Sequence, residues 1–509
     1  MAANQRKAGI ALSYISMALH IVIGLIYVPI LLHYLGKSQY GVYQLMGSLI
    51  AYMAIMDFGL SGTITRYYSR YLALEDEKNQ ANVLALSGII YCVITVIMLL
   101  VGIIIYFNIS TVFSNSLTNA ELDKASQIFL IMLVNIAITI PSHIFTAVIN
   151  SYERFVFIRI LSIIQTILQP FVIIAVMQCK ADVIGLVIVQ TLFNIVLIAI
   201  KVYYSFNKLK IRIKLYNWDN SLMKEMIGFS FYIFLNMIID QIYWRTDQII
   251  LGIFSGTSAV AIYSIASQLN KYYMNFSTRI NGVFLPKISA ISAKTEDMKE
   301  INRIFRKVGR IQFGIMALIL TGYILYGKSF IGHWVGQDFA QAYYMALILM
   351  GALLIPLIEN MGIIILQAKN KHAFRSKIYL FIAVLNIILT IPLAKLYGGI
   401  GCAIATAFAL FIGNVVIINV YYHKKIGIDI IAFAKEITSM TLPVLIALSI
   451  GIAGNYLIQV TSILDLGIRI IAYTLVFSML MWFMGFNDYE KDLFRGVFLK
   501  AKEKVASRY

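Results

Sequence analysis

Fourteen apolar runs, each 20 residues or longer, constrain this chain more than any other feature of its sequence. A helix that crosses a hydrocarbon core of about 30 Å needs about 20 such residues. No segment between the runs is long enough for a soluble domain. The sequence therefore predicts an all-α polytopic membrane protein with fourteen transmembrane helices. The predicted spans are 10–34, 41–62, 83–107, 125–149, 156–177, 183–204, 226–251, 258–286, 308–327, 341–366, 377–397, 400–422, 437–459 and 465–485.

Lysine and arginine are distributed unequally between the two sides of these spans. Of 42 such residues, 33 lie at the termini and loops where odd-numbered spans begin, and six lie on the opposite side. The positive-inside rule then places both termini in the cytoplasm. The net charge of +18 follows from this topology and gives no reason to propose a nucleic-acid partner.

No pattern in the sequence indicates catalysis. The chain contains no GxxxxGK[ST] loop and no HExxH pair, and its three cysteines are too scattered for a metal site or a disulfide framework. The longest predicted outer loop, residues 108–124, is too short for the catalytic domain of a membrane polymerase or glycosyltransferase. We therefore expect a protein that is not an enzyme and holds neither a cofactor nor a metal ion.

The seventh and eighth predicted spans carry unusual charge. A charge at bilayer depth costs at least about 2.5–3.5 kcal/mol, so such residues are candidates for function. Helical spacing gives each span one polar face, which predicts the wall of a water-filled cavity. Alternatively, the charges form ion pairs that stabilise the packing of the helices. The faces comprise Asn236, Asp240, Trp244, Asp247 and Gln248, with Arg245 at the margin, and Ser264, Ser267, Gln268, Lys271, Asn275, Thr278, Arg279 and Gly282.

The first two spans have comparable faces. His20 belongs to the first, either as a proton-coupling group or as a hydrogen-bonded interior histidine, and Gln44, Ser48, Tyr52 and Arg66 belong to the second. Asp57 points away from this face, and Gly59 and Gly62 favour a bend after it. Four carboxylates are candidates for binding a coupling proton or sodium ion, or else balance nearby cations. They are Asp57, Asp240, Asp247 and Glu359.

The two halves of the chain show traces of an internal repeat. An offset of 220 residues aligns seven identical residues, among them Gly36 and Ser38 with Gly256 and Ser258. A six-span displacement preserves orientation, so the repeat is parallel. The predicted organisation is an N-lobe (1–206), a C-lobe (207–424), spans 13 and 14 (425–486) and a cytoplasmic amphipathic tail (487–509). Residues 298–310 are also amphipathic and are expected to lie along the lipid headgroups, or alternatively to dock a partner.

Several motifs carry a family resemblance. The chain reads LGKSQYGVY at 35–43, DFGL at 57–60, TRY at 65–67 and GVFLPK at 282–287. With its fourteen spans and two lobes, it resembles bacterial polysaccharide transporters. These are the O-antigen and capsule flippases of the multidrug/oligosaccharidyl-lipid/polysaccharide exporter superfamily.

The resemblance implies a flippase in the bacterial cell membrane. Its cargo would be an undecaprenyl-pyrophosphate-linked oligosaccharide, and polysaccharide polymerases and glycosyltransferases are possible partners. Cavity cations would hold the pyrophosphate: Arg66, Arg245, Lys271 and Arg279. Polar and aromatic groups would accompany the sugars: His20, Gln44, Ser48, Tyr52, Asn236, Trp244, Gln268 and Asn275. A lipid II flippase and a multidrug exporter of the same superfamily remain alternatives.

Overall fold

The computed structural model describes residues 2–179, 181–281, 288–291, 298–369, 371–457, 462–493 and 495–496. The GVFLPK stretch, most of the predicted tail, and the side chains of Asn236 and Arg279 lie outside the described part. Every regular element in the described residues is helical.

Long helices make up the described chain. Their bounds are α1 Ala2–Ala54, α2 Leu60–Ala73, α3 Glu77–Phe113, α4 Asn119–Ser151, α5 Phe155–Gln178, α6 Val183–Asn207, α7 Asn220–Phe254, α8 Gly256–Asn281, α9 Lys299–Trp334, α10 Gln341–Ile358, α11 Met361–Ala368, α12 His372–Leu410, α13 Ile430–Leu457 and α14 Ile463–Leu480. Short 3₁₀ turns lie at Ile55–Asp57 and Gln337–Phe339. Beyond α12 the chain continues through π-helical turns at Phe411–Ile418 and Tyr422–Ile426, and a further π-helical turn, Met481–Gly485, follows α14.

Ten segments of the described chain are long and apolar enough to cross a membrane. Two of them, Ile15–Ala73 and Phe374–Ile426, span 59 and 53 residues, more than twice what one crossing needs. Within these segments, the long helices α1 and α12 each contain a glycine with non-helical backbone angles, Gly36 and Gly398 respectively. The chain is thus a multi-pass membrane protein, and the count of fourteen spans stays a prediction.

The helices group into two compact units. The first comprises Met1–Ser264 with Ala394–Gly399, and the second comprises Ile265–Leu393 with Ile400–Tyr509. In the first unit, α1 packs on α4, α5 and α7, and α4 packs on α3 and α6. In the second unit, α9 packs on α10, α13 and α14. The predicted lobe boundary at residue 206 and the internal repeat stay predictions.

Polar side chains fix where the helices begin. Asp76 and Asp182 accept backbone N–H groups at the starts of α3 and α6. Thr118 and Glu121 form a reciprocal capping box at the start of α4. The hydrogen bonds from Asn79 hold the pKa of Asp76 below its usual range. These caps satisfy N–H groups that the first turn of a helix leaves unpaired.

A break separates α1 from α2. Phe58 and Gly59 both have left-handed backbone angles, with φ of 54° and 65°. The bend predicted after Asp57 is therefore confirmed at Gly59, whereas Gly62 lies inside α2. A Cβ on Gly59 would collide with the side chain of Ile233 on α7. Glycine is needed here both for the backbone conformation and for the close approach of α7.

The amphipathic stretch 298–310 differs from its prediction. Most of it is the first part of the continuous helix α9. Its apolar residues Ile301, Ile304 and Phe305 are buried, and the Phe305 ring lies 4.9 Å from the ring of Phe433 on α13. The expectation that this face lies along lipid headgroups is wrong, because protein covers it.

Candidate functional site

The polar faces predicted on α1 and α7 meet in the first unit. The Ser48 hydroxyl donates a hydrogen bond to Oε1 of Gln248, and the hydroxyls of Tyr52 and Thr246 share another. Ser48 and Gln248 are 0% and 3% exposed, while Gln44 and Tyr52 are half-buried. Sequence spacing placed Gln44, Ser48, Tyr52 and Gln248 on these faces, and the contacts show that part of each face packs against the other.

The acidic and aromatic residues of α7 lie in different surroundings. Asp247 is buried and accepts a hydrogen bond from the hydroxyl of Tyr263 on α8. Asp240, nearly two turns earlier, is exposed. Trp244 is half-buried beside the ring of Tyr243. One carboxyl group of α7 is thus buried against α8, and another is exposed on the same helix.

The four candidate cations divide between the units. Arg66 is exposed, and its guanidinium lies 4.9 Å from the ring centre of Phe229 on α7. Arg245 is half-buried in the same unit. Lys271 is exposed in the second unit, and the Arg279 side chain lies outside the described residues. Their joint role at a phosphate group stays a prediction.

The other predicted cavity residues are only partly described. His20 is exposed on α1. In the second unit, Gln268 donates to the Tyr272 hydroxyl at 2.6 Å, and Asn275 is half-buried. The Asn236 side chain lies outside the described residues.

Asp57 has two partners that sequence spacing did not identify. Its Oδ1 accepts the Tyr91 hydroxyl of α3 at 2.8 Å and lies 3.0 Å from Nδ1 of His143 on α4. Asp57 is 7% exposed, and the His143 side chain is 34% exposed. The available signal was a histidine inside an apolar run, two residues after Pro141. The cluster joins three helices at the break that ends α1.

Glu359 is another buried carboxylate with a partner that the sequence did not reveal. It lies between α10 and α11, and Nδ2 of Asn419 donates to its Oε1 at 3.0 Å. Asn419 directly follows the first π-helical turn, and such turns often mark functional positions. The carboxylate lines a small, partly open pocket together with Pro356, Ile363, Arg375, Tyr379, Asn414, Ile418 and Tyr422.

Sequence comparison connects the chain with glycan export. Residues 7–292 match the model of a family described as polysaccharide biosynthesis protein. The chain is also 23% identical over 448 residues to the probable low-salt glycan biosynthesis flippase Agl15 of Haloferax volcanii. That alignment covers 87% of this chain and 89% of the relative.

Solved structures share the fold. The lipid II flippase MurJ in an inward closed conformation superposes with a TM-score of 0.71 at 19% identity, over 96% of this chain and 99% of that one. An inward-facing multidrug resistance MATE family transporter of the MOP superfamily gives a TM-score of 0.64 at 12% identity, over 82% and 96%. At these identities the likeness shows the fold alone.

Proposed function

Because the chain belongs to the polysaccharide biosynthesis protein family, we propose that it is a flippase for lipid-linked oligosaccharides. It moves an undecaprenyl-pyrophosphate-linked oligosaccharide from the cytoplasmic to the outer leaflet of a bacterial cell membrane, for surface polysaccharide synthesis. The family match over residues 7–292 carries this proposal. Alternating access of two lobes, 1–206 and 207–424, provides the route, with spans 13 and 14 outside the pseudosymmetry.

The direction of transport requires an orientation. The excess of lysine and arginine on one side supports cytoplasmic termini. In that orientation, the α3–α4 and α7–α8 connections face outward. The basic α6–α7 connection and the end of α2 that follows Arg66 then lie toward the cytoplasm, where the substrate is made.

The cargo chemistry agrees with the cations in the helices. A pyrophosphate headgroup is too polar to cross hydrocarbon without compensation for its lost hydration. Arg66 and Arg245 can each offer a planar, doubly donating guanidinium that fits phosphate oxygens, and Lys271 and Arg279 add two further cations. Alternatively, these cations neutralise Asp240 and Asp247 and have a structural role.

Coupling of transport to an ion is part of the proposal. Among the four candidate carboxylates, the described contacts favour Asp57, because it is buried beside a histidine. Histidine is the side chain that ordinarily changes charge near neutral pH. We therefore assign the coupling role to Asp57 and His143, which are in contact at the α1–α2 break.

A lipid II flippase and a multidrug exporter remain alternatives, because solved structures of both kinds share the fold. The three proposed functions differ in the molecule that is transported. We would reconstitute the full chain in liposomes with a fluorescent undecaprenyl-pyrophosphate oligosaccharide, with fluorescent lipid II, or with ethidium. Protection from a membrane-impermeant quencher reports the leaflet of each lipid, and ethidium release reports drug export. Selective flipping of the oligosaccharide lipid is expected. Selective movement of lipid II or ethidium would replace our proposal with the corresponding alternative.

Substitution of the cations tests the binding role. Arg245→Ala and Lys271→Ala should each slow oligosaccharide flipping roughly ten- to a hundredfold, because a charged hydrogen bond contributes about 1.5–3 kcal/mol. Lys395→Ala is the control, because its ammonium already lies 4.7 Å from the Phe254 ring. If Arg245→Ala combined with Asp247→Ala restores flipping, Arg245 has a structural role instead.

A further inference from the structure

One carboxylate joins three helices in the first unit. Glu121, in the first turn of α4, uses Oε2 for its own helix: it accepts the backbone N–H and the hydroxyl of Thr118, both at 2.9 Å. Its Oε1 accepts the Ser38 hydroxyl of α1 at 2.5 Å and the Thr257 hydroxyl of α8 at 2.6 Å. Oε2 therefore caps α4, and Oε1 accepts hydrogen bonds from α1 and α8.

The helices around Glu121 approach each other closely. A Cβ on Gly41 of α1 would collide with the carbonyl group of Thr257, and a Cβ on Gly252 of α7 would collide with the Leu45 side chain. The Ser116 hydroxyl donates to the Gly252 carbonyl at 2.5 Å. The backbones are thus in contact, and this end of the seam between α1 and α7–α8 is closed.

The two hydroxyls on Oε1 come from corresponding parts of the chain. Ser38 follows Gly36, which has a φ of 69°, and Thr257 follows Gly256, which has a φ of 77°. The 220-residue offset aligns Gly36 with Gly256 and Ser38 with Ser258. Under the proposed function, these two turns belong to different lobes and face outward. Alternating access requires them to separate when the cavity opens to that side.

We propose that Glu121 is the latch of the outer gate, holding the Ser38 and Thr257 turns together through Oε1. This rests on the proposed function for the identity of the lobes and of the outer side. A carboxylate suits the role because one of its oxygens can accept two hydroxyls while the other caps α4. Glutamine has a single acceptor oxygen, so it can serve the latch or the Thr118 N–H, but not both. Outward opening requires that both hydrogen bonds on Oε1 break.

Cysteine labelling measures this opening directly and needs no transport assay. Cys92, Cys179 and Cys402 are first replaced by serine, and Ser48→Cys introduces a nearly isosteric reporter at a position that is 0% exposed in the closed seam. The reaction of this thiol with the membrane-impermeant reagent MTSET is followed in intact cells. Glu121→Gln should accelerate it at least roughly tenfold, because two hydrogen bonds to a charged group weaken.

A second variant separates the latch from the helix cap. Ser38→Ala with Thr257→Val removes both hydroxyls and leaves Glu121 and its capping box intact, so it should accelerate labelling as much as Glu121→Gln. Combining all three changes should give no further acceleration, because they remove the same interaction. Thr118→Ala, which disturbs the cap alone, and Ser258→Ala, which alters the adjacent hydroxyl, should leave the rate unchanged.

Three outcomes would overturn the latch: no acceleration in the Ser38/Thr257 variant, equal acceleration by Thr118→Ala, or labelling only from the cytoplasmic side. If the protein does not flip the oligosaccharide lipid but the variants change the labelling rate as expected, the proposed cargo is wrong and the latch proposal is retained.

Discussion

At the scale of single residues, the most informative contact is the one that Asp57 makes. A buried carboxylate is costly unless it is hydrogen-bonded and its charge is compensated. Tyr91 supplies a hydrogen bond, and His143 supplies either a hydrogen bond or a positive charge, depending on its protonation. Because the cluster lies at the α1–α2 break, a proton added to it changes the charge at a backbone hinge that also contacts α7.

Substitution of either member should remove the response to a proton gradient. In liposomes, flipping by Asp57→Asn and by His143→Gln is expected to become insensitive to an imposed pH difference, while downhill exchange of the labelled lipid continues. His33→Gln, a change at an exposed histidine of α1, should retain the full response. A normal gradient response in Asp57→Asn would assign coupling to another carboxylate.

At the scale of helices, the length of the apolar runs predicted where helices lie. It did not predict which side chains contact each other between helices. The runs at 83–107, 125–149, 156–177 and 183–204 lie inside α3 to α6. Their partners depend on contacts between distant positions: His143 is 86 residues from Asp57, and Asn419 is 60 residues from Glu359. Spacing along one helix identifies a polar face but not what covers it. The misassigned stretch 298–310 illustrates this, because an amphipathic face fits protein and headgroups equally well.

A buried ion pair in the second unit is expected to stabilise the packing of α9 against the segment after α14. Arg310 of α9 donates to both oxygens of Glu490, at 2.6 and 3.0 Å, and to the Gly485 carbonyl at 2.8 Å. Glu490 is 0% exposed. Glu490→Ala should lower the stability of this unit by about 3–5 kcal/mol, since it leaves an uncompensated buried charge. Thermal unfolding of the purified protein in detergent measures the loss.

The exposed pair of Arg212 with Glu77 provides the contrast. Its atoms are 3.9 Å apart and both side chains are about 80% exposed, so Glu77→Ala should cost less than about 1 kcal/mol. Arg310→Met combined with Glu490→Leu should recover most of the stability lost in Glu490→Ala. If Glu490→Ala unfolds at the same temperature as the unmodified protein, the ion pair does not hold α9 to the segment after α14.

At the scale of the whole molecule, the membrane class and the family could be read from the sequence, and the arrangement of the site could not. The membrane class and the family follow from local signals in the sequence. These are the long apolar runs and the motifs at 35–43, 57–60 and 65–67. The site depends on how α1 and α7 meet. Their contact through Ser48, Tyr52, Thr246 and Gln248 joins residues about 200 positions apart, which local patterns do not encode.

The orientation of the chain is a property of the whole molecule and can be tested directly. The distribution of lysine and arginine predicts that the α6–α7 connection is cytoplasmic and that the α3–α4 connection faces outward. Both carry exposed residues suited to replacement, Lys214 and Asn115. In a background with the native cysteines changed to serine, an impermeant maleimide should label Asn115→Cys in intact cells. It should label Lys214→Cys only after the membrane is permeabilised. The reverse pattern would invert the topology, placing the Glu121 end in the cytoplasm and removing both the proposed direction of flipping and the outer gate.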